Sequence, residues 1–238
     1  MASALARGWG DPVLCTDAVP GKAQALVAEL GGEVAASNAE LAHAADAIVL
    51  CHKPDQLAAV ADQVGGGAKA VVSILAGVTL DALRQAYPGV PVVRLMPNVA
   101  VEIRRGVICL AAESDRDDEL VALLERVATV VSVPERLIEV ATAIQGVGPA
   151  YVALFVEAQV DAAVRLGMPP AMAVELATAT TEGSAALLAA RGFDTLALRR
   201  SVTSPGGVTA RGLAALEDGG LRAAFQAAAD AAVHGGRR

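Results

Sequence analysis

Six short β-branched runs alternate with helical stretches through the first 134 residues and then stop. They are Pro12–Thr16, Ala47–Cys51, Ala70–Ile74, Pro91–Met96, Gly106–Ala111 and Thr129–Val133. Between them lie helix-patterned segments such as Lys22–Leu30, Ala39–Ala45 and Thr79–Tyr87. Strands alternating with helices predict a doubly wound, mostly parallel sheet. The runs are continuously apolar, which suits strands covered on both faces. Beyond residue 135 no run reads as a strand. Helices are predicted near 149–166, 170–190, 194–200, 207–217 and 220–233, parted by breaks at QGVGP, GMPP, RGFD, TSPGG and EDGG. The chain therefore reads as an α/β domain followed directly by an all-α domain.

Composition narrows the function. Apolar residues make up 54% and charged residues 19% of the 238-residue chain, which fits a well-buried globular protein. A net charge of −7, with no Lys/Arg run longer than two, argues against nucleic-acid binding. Cys15, Cys51 and Cys109 show no CxxC spacing, so neither a disulfide framework nor a zinc site is expected. A reduced, cytoplasmic setting fits them best. His43, His52 and His234 are too dispersed for a metal cage, and no metal is expected. The start MASALARGWGDP lacks the basic-then-apolar pattern of a signal peptide. The uncharged stretch Val140–Val156 contains Gln145, Gly146, Gly148 and Pro149 and falls short of the roughly 20 apolar residues of a membrane span. It predicts a buried interface helix and no membrane association.

In a doubly wound sheet, ligands bind beyond the carboxyl ends of the strands. The strand ends here carry His52-Lys53-Pro54-Asp55, Leu75-Ala76-Gly77 and Met96-Pro97-Asn98. Small or Pro-locked residues at those points let backbone approach a flat or phosphorylated ligand, though each is also ordinary turn chemistry. Lys53 reads as a solvated lysine or as a partner for a cofactor phosphate or ribose. Asp17 reads as an acid for an adenosine ribose hydroxyl or as a turn residue. Lys22 nearby is placed to meet a 2′-phosphate. Asn38 reads first as the cap of helix 39–45 and second as a polar group beside an adenosine.

The segment SVTSPGGVTARG breaks an Ala-rich, helix-prone half. A Gly-Gly turn opening helix 207–217 presents free N–H groups and a positive helix end, which together form an anion site. The alternative reading is a helix cap with a Schellman-like turn.

The motifs VLCHKPDQ, VVSILAGVT, VVRLMPN, ATAIQGVGPAY and SVTSPGGVTARGLAALEDGGLRAA run in order from about residue 13 to residue 234. In that order they resemble the pyrroline-5-carboxylate reductase family. The resemblance implies an NAD(P)-binding Rossmann domain over residues 1–134 and a helical dimerisation and substrate domain over 135–238. It implies reduction of 1-pyrroline-5-carboxylate to L-proline with NADPH or NADH, the last step of proline biosynthesis. It also implies a homodimer, with a larger ring of dimers as a further expectation. Carried over residue by residue, Ser201, Ser204, Val208 and Thr209 contact the substrate, and Gly206 and Gly207 supply amides. Thr209 is the candidate for a hydrogen bond to the ring nitrogen; on the anion-site reading, two or three amide hydrogen bonds suffice to hold a small amino acid without an Arg. Glu135 matches the family's acid near both ligands and otherwise reads as a first-turn Glu favoured by the helix dipole. The cofactor contacts carried over are Asn38, Cys51, His52, Lys53, Pro54, Ile74, Leu75 and Ala76, with Asp17 added from the strand-end argument.

The chain departs from the family in two places. Gln145 and Val147 stand where the family usually has serines, which leaves that turn's packing and polar contacts open. No Gly-x-Gly-x-x-Gly loop precedes the first helix, so the family's first strand and phosphate-binding loop are not found. The expectation drawn is that the natural protein starts upstream of Met1. Such a chain would leave neighbouring strands with unpaired edges and would bind NAD(P)H poorly. Competing readings are an imine or β-hydroxyacid reductase on a similar scaffold, and a non-catalytic oligomeric homologue.

Overall fold

A computed structural model describes residues 1–116 and 118–234. It divides into two compact units, Met1–Pro149 and Ala150–Arg238.

The first unit begins with α1 (Ala2–Trp9), β1 (Val13–Cys15), α2 (Lys22–Leu30) and β2 (Gly32–Val34). It continues through α3 (Asn38–Ala44), β3 (Ile48–Leu50), α4 (Leu57–Val64), β4 (Val71–Ser73) and α5 (Leu80–Ala86). It closes with β5 (Val92–Pro97), β6 (Gly106–Ala111), α6 (Asp118–Glu125), β7 (Ala128–Val133) and α7 (Ile138–Ala141). All six predicted strands are present. β3, β4 and β5 are parallel neighbours, β6 is antiparallel to β5, and β7 runs parallel to β6. β1 pairs in parallel with β2 in a separate two-stranded sheet. Among the described residues, the other edge of β1 and the edge of β3 away from β4 have no strand partner.

The apolar runs split residue by residue onto two faces. Val71, Leu75, Val92, Met96, Cys109 and Ala111 belong to one buried cluster. Val72, Val93, Leu95, Ile108 and Leu110 belong to the other, with Leu5 of α1 and Leu124 of α6. Side chains alternate along a strand, so a sheet covered on both sides needs apolar residues at every position. Gly8 permits a close approach: a Cβ there would run into the Val101 carbonyl. Trp9 Nε1 donates to Leu123 O at 3.0 Å and ties α1 to α6. A cavity of about 230 Å³ lies between these helices and the sheet, lined by apolar side chains including Leu5, Trp9, Val72 and Leu124.

Two features correct the sequence reading. Ser37, not Asn38, caps α3, its hydroxyl accepting from Glu40 N at 3.1 Å. Asn38 is the first helical residue and donates to Gln63 Oε1 of α4 at 2.7 Å. β2 was not anticipated, because its three exposed residues carry no buried pattern and Gly32 opens it at φ 101.

The second unit is all helical. α8 (Gly148–Arg165), which starts at the end of the first unit, is followed by α9 (Pro170–Ala190), α10 (Thr195–Ser201), α11 (Val208–Asp218) and α12 (Leu221–His234). Each lies within a residue or two of its predicted span. The stretch from Glu135 to Arg165 is long and apolar enough to cross a membrane by length and composition, and only 11% of its most apolar window is buried. Leu154 is 65% exposed and Phe155 41%, so the single chain does not itself cover this predicted interface helix. Side chains this apolar need another surface to cover them.

Candidate functional site

The parallel order β3-β4-β5 brings their carboxyl ends to one edge. Cys51, His52, Lys53 and Pro54 follow β3, and Ile74, Leu75 and Ala76 follow β4. Met96 and Pro97 end β5, and Asn98 follows it. Pro54 opens a single 3-10 turn, and Gln56 Oε1 accepts from Lys53 N at 3.2 Å, fixing the loop. His52 Nδ1 lies 2.8 Å from Lys53 O. A carbonyl only accepts, so Nδ1 carries a proton and Nε2 is the ring nitrogen left to meet another group. That Nε2 is buried and unpartnered. Lys53 forms no ion pair with another described residue. An unpartnered ring nitrogen and an unpaired ammonium on this edge fit the hydroxyl and phosphate groups of a dinucleotide.

Asp17 follows β1, and its Oδ1 accepts from Val19 N at 2.8 Å in a local turn. Asn38 is engaged with Gln63. No hydrogen bond joins either residue to the Cys51–Pro54 loop among the described residues.

Glu135 opens a 3-10 turn after β7. Its Oε1 accepts from Arg94 Nη1 at 2.9 Å and from Leu80 N, at the start of α5, at 2.6 Å. Its own N–H donates to Glu113 Oε2 at 2.9 Å. Arg94 Nη2 donates to Glu139 Oε1 of α7 at 2.7 Å. The carboxylate therefore joins β5, α5 and the chain leading into α7, rather than standing free. The sequence reading missed Arg94, although a lone charge inside the apolar run PVVRLM was a signal for it.

Gln145 lies in a π turn over Thr142–Gly146. Its Nε2 donates to Met96 O at 2.9 Å, and its backbone carbonyl accepts from Asn98 Nδ2 at 3.1 Å, while the buried Oε1 has no partner. Asn98 Oδ1 accepts from Val107 N at 3.2 Å. Gln145 therefore pins the turn to the carboxyl end of β5. Val147 N–H donates to Thr142 O at 3.1 Å and contributes only backbone to this network.

In the second unit, Ser204-Pro205-Gly206-Gly207 turns into α11. Gly206 has φ 69, the left-handed region that glycine favours. A Cβ on Gly207 would collide with Ser204 Oγ. Gly207 N donates to Ser204 O at 3.1 Å, and the first bond of the helix runs from Arg211 N to Gly207 O at 3.2 Å. The amides of Val208, Thr209 and Ala210 therefore lack intrahelical acceptors. The Ser204 and Thr209 hydroxyls make no hydrogen bond among the described residues, and Val208 is exposed. Ser201 differs: its Oγ donates to Leu198 O at 2.8 Å and accepts from Arg191 Nη1 at 3.2 Å. The turn also holds a guanidinium that the sequence reading omitted, with Arg211 Nη1 donating to Gly206 O at 2.6 Å.

A dinucleotide-type sheet edge in one unit and a donor-rich turn in an all-helical second unit define an NAD(P)-dependent oxidoreductase with a Rossmann-type fold. The family model for pyrroline-5-carboxylate reductase dimerisation matches residues 135–238, and that for NADP oxidoreductase, coenzyme F420-dependent, matches residues 1–77. The chain is 38% identical over 205 residues to pyrroline-5-carboxylate reductase of Synechocystis sp., covering 84% of this chain and 77% of that one. It is 36% identical over 212 residues to pyrroline-5-carboxylate reductase 3 of Macaca fascicularis, covering 86% and 77%. The Plasmodium falciparum pyrroline carboxylate reductase structure with NADP bound superposes with a TM-score of 0.84 at 26% identity, covering 97% of this chain and 91% of that one. The chain belongs to the pyrroline-5-carboxylate reductase family.

Proposed function

We propose that the protein reduces 1-pyrroline-5-carboxylate to L-proline with NADPH or NADH. The observation that carries this reading is the Ser204–Gly207 turn, with three acceptor-free amides at the start of α11. A small amino acid presents one carboxylate, and such amides are its natural donors. Hydrogen bonds to a charged group contribute roughly 1.5–3 kcal/mol each.

A dinucleotide held along the Cys51–Pro54 and Ile74–Ala76 edge would supply the hydride that the imine carbon needs, with the proton for the ring nitrogen drawn from solvent. The chain's residues bind and orient. Gly206 and Gly207 shape the carboxylate turn, flanked by Ser201, Ser204 and Val208. The Thr209 hydroxyl donates toward the ring nitrogen of the substrate. Cys51, His52, Lys53, Pro54, Ile74, Leu75 and Ala76 line the cofactor edge, with Asp17 and Asn38 toward the adenosine end. Glu135 acts through the Arg94 network that holds the start of α7. Residues 1–134 form the cofactor domain, and 135–238 form the dimerisation and substrate domain. The protein works as a homodimer in the cytoplasm, and dimers associate into a larger ring.

The test is NADPH oxidation by the purified chain with pyrroline-5-carboxylate. Product identified as L-proline supports the reading, and no turnover above the enzyme-free rate refutes it.

A further inference from the structure

Four arginines crowd the segment around the substrate turn: Arg191, Arg199, Arg200 and Arg211, in a chain whose net charge is −7. Three have local reasons to be there. Arg199 and Arg200 sit in the last turn of α10, where the helix dipole favours cations. Arg191 hydrogen-bonds Ser201. Arg211 has no such reason. It lies in the first turns of α11, where the dipole opposes a cation. No carboxylate among the described residues lies within ion-pair distance of it, whereas nearby Arg222 holds Glu217 at 2.8 Å. Its guanidinium nevertheless curls back to Gly206 O at 2.6 Å. That bond uses one of five donors and fixes the fork beside the turn.

Arg211, the Ser204 and Thr209 hydroxyls, and the Val208, Thr209 and Ala210 amides therefore give a cluster rich in donors and poor in acceptors. Its net charge is positive and uncompensated. We propose that Arg211 is a specificity-determining residue, selecting substrates that present a free carboxylate to the Gly206-Gly207 turn over neutral esters or amides of the same ring. The inference rests on the reductase reading of this turn. A guanidinium adds a charge–charge attraction to a carboxylate that a neutral amide or ester oxygen does not evoke.

The experiment compares the wild-type chain with Arg211→Gln and Arg211→Lys, using L-proline and L-prolinamide as product-like inhibitors. In Arg211→Gln, the KM for pyrroline-5-carboxylate and the Ki for L-proline are expected to rise about tenfold or more, with a smaller change in kcat. The Ki for L-prolinamide should move less than threefold. Arg211→Lys keeps the charge without the fork and should fall between. Circular dichroism and melting temperature verify that each variant is folded. An unchanged Ki for L-proline, or equal rises for both inhibitors, overturns the role of Arg211 while leaving the reductase reading intact. A wild-type chain that neither reduces pyrroline-5-carboxylate nor responds to L-proline overturns both.

Discussion

Arg94 and Glu135 meet at 2.9 Å, and the arginine side chain is 4% exposed while the carboxylate keeps 23%. A cation from the middle of β5 thereby holds the chain where it leaves the sheet for α7. Breaking a buried pair by removing one partner costs about 3–5 kcal/mol, since the other charge is left uncompensated. Arg94→Met should destabilise the first unit by about 3 kcal/mol, the low end of that range, because both carboxylates retain access to water. Glu139→Gln, at a 48% exposed carboxylate, should cost under about 1 kcal/mol. Urea unfolding of the two variants checks the order, and equal losses would refute the assignment of Arg94 as the buried member.

Thr209→Ala removes the hydroxyl assigned to the substrate's ring nitrogen. An unmade buried hydrogen bond costs about 1–3 kcal/mol, so kcat/KM with pyrroline-5-carboxylate should fall roughly 5- to 150-fold. Steady-state kinetics equal to wild type would rule out the role.

Gly207→Ala tests the turn itself. Its Cβ would collide with Ser204 Oγ and lie 3.1 Å from Ser204 O, so the Ser204 hydroxyl must swing away and the turn must give by a few tenths of an ångström. The KM should rise at least tenfold, while the melting temperature changes by only a few degrees because the turn is exposed. A KM within twofold of wild type would show that the turn does not hold the substrate.

Tyr87 is 3% exposed, and its hydroxyl is buried without a partner. Burial pushes this phenol up from 10.0 to about 12. The unfolded chain therefore releases its proton at lower pH than the folded one, and stability falls as pH rises from about 10 to about 12. Below pH 10 both states hold the proton and the group adds no pH dependence. Tyr87→Phe should flatten this alkaline loss and stabilise the protein by about 1 kcal/mol at neutral pH. Denaturant titrations of both proteins across that window provide the comparison, and parallel curves would show that Tyr87 is not the group responsible.

The apolar face of α8 predicts obligate self-association. Leu154→Glu, at a side chain 65% exposed in the single chain, should shift sedimentation from dimer toward monomer. A folded wild-type monomer at micromolar concentration would contradict the prediction.

Local chemistry was enough to place most elements. The runs at 12–16, 47–51, 70–74, 91–96, 106–111 and 129–133 became strands because continuous apolar character has few other outcomes between Gly/Pro breaks. The TSPGG break became the entry to α11 because Pro and paired Gly interrupt a helix wherever they fall. The cap of α3 was misplaced by one residue, since Ser37 and Asn38 are both good caps and only backbone geometry chooses between them.

The polar site was less legible, because its partners are far apart in the chain. Nothing near Asn38 announces Gln63, nothing near Gln145 announces Met96 O, and nothing in PVVRLM says that Arg94 will be neutralised by Glu135 and Glu139. Arg211 was overlooked in the same way: its spacing places it on α11, but not with its guanidinium over Gly206. The sequence by itself determined the alternation of strand and helix, the switch to an all-helical half and the motifs of the family, all of which depend on neighbouring residues. Only the tertiary structure decided which charges are paired and which donors stay unmet, because desolvation and hydrogen bonding depend on distances that folding alone creates.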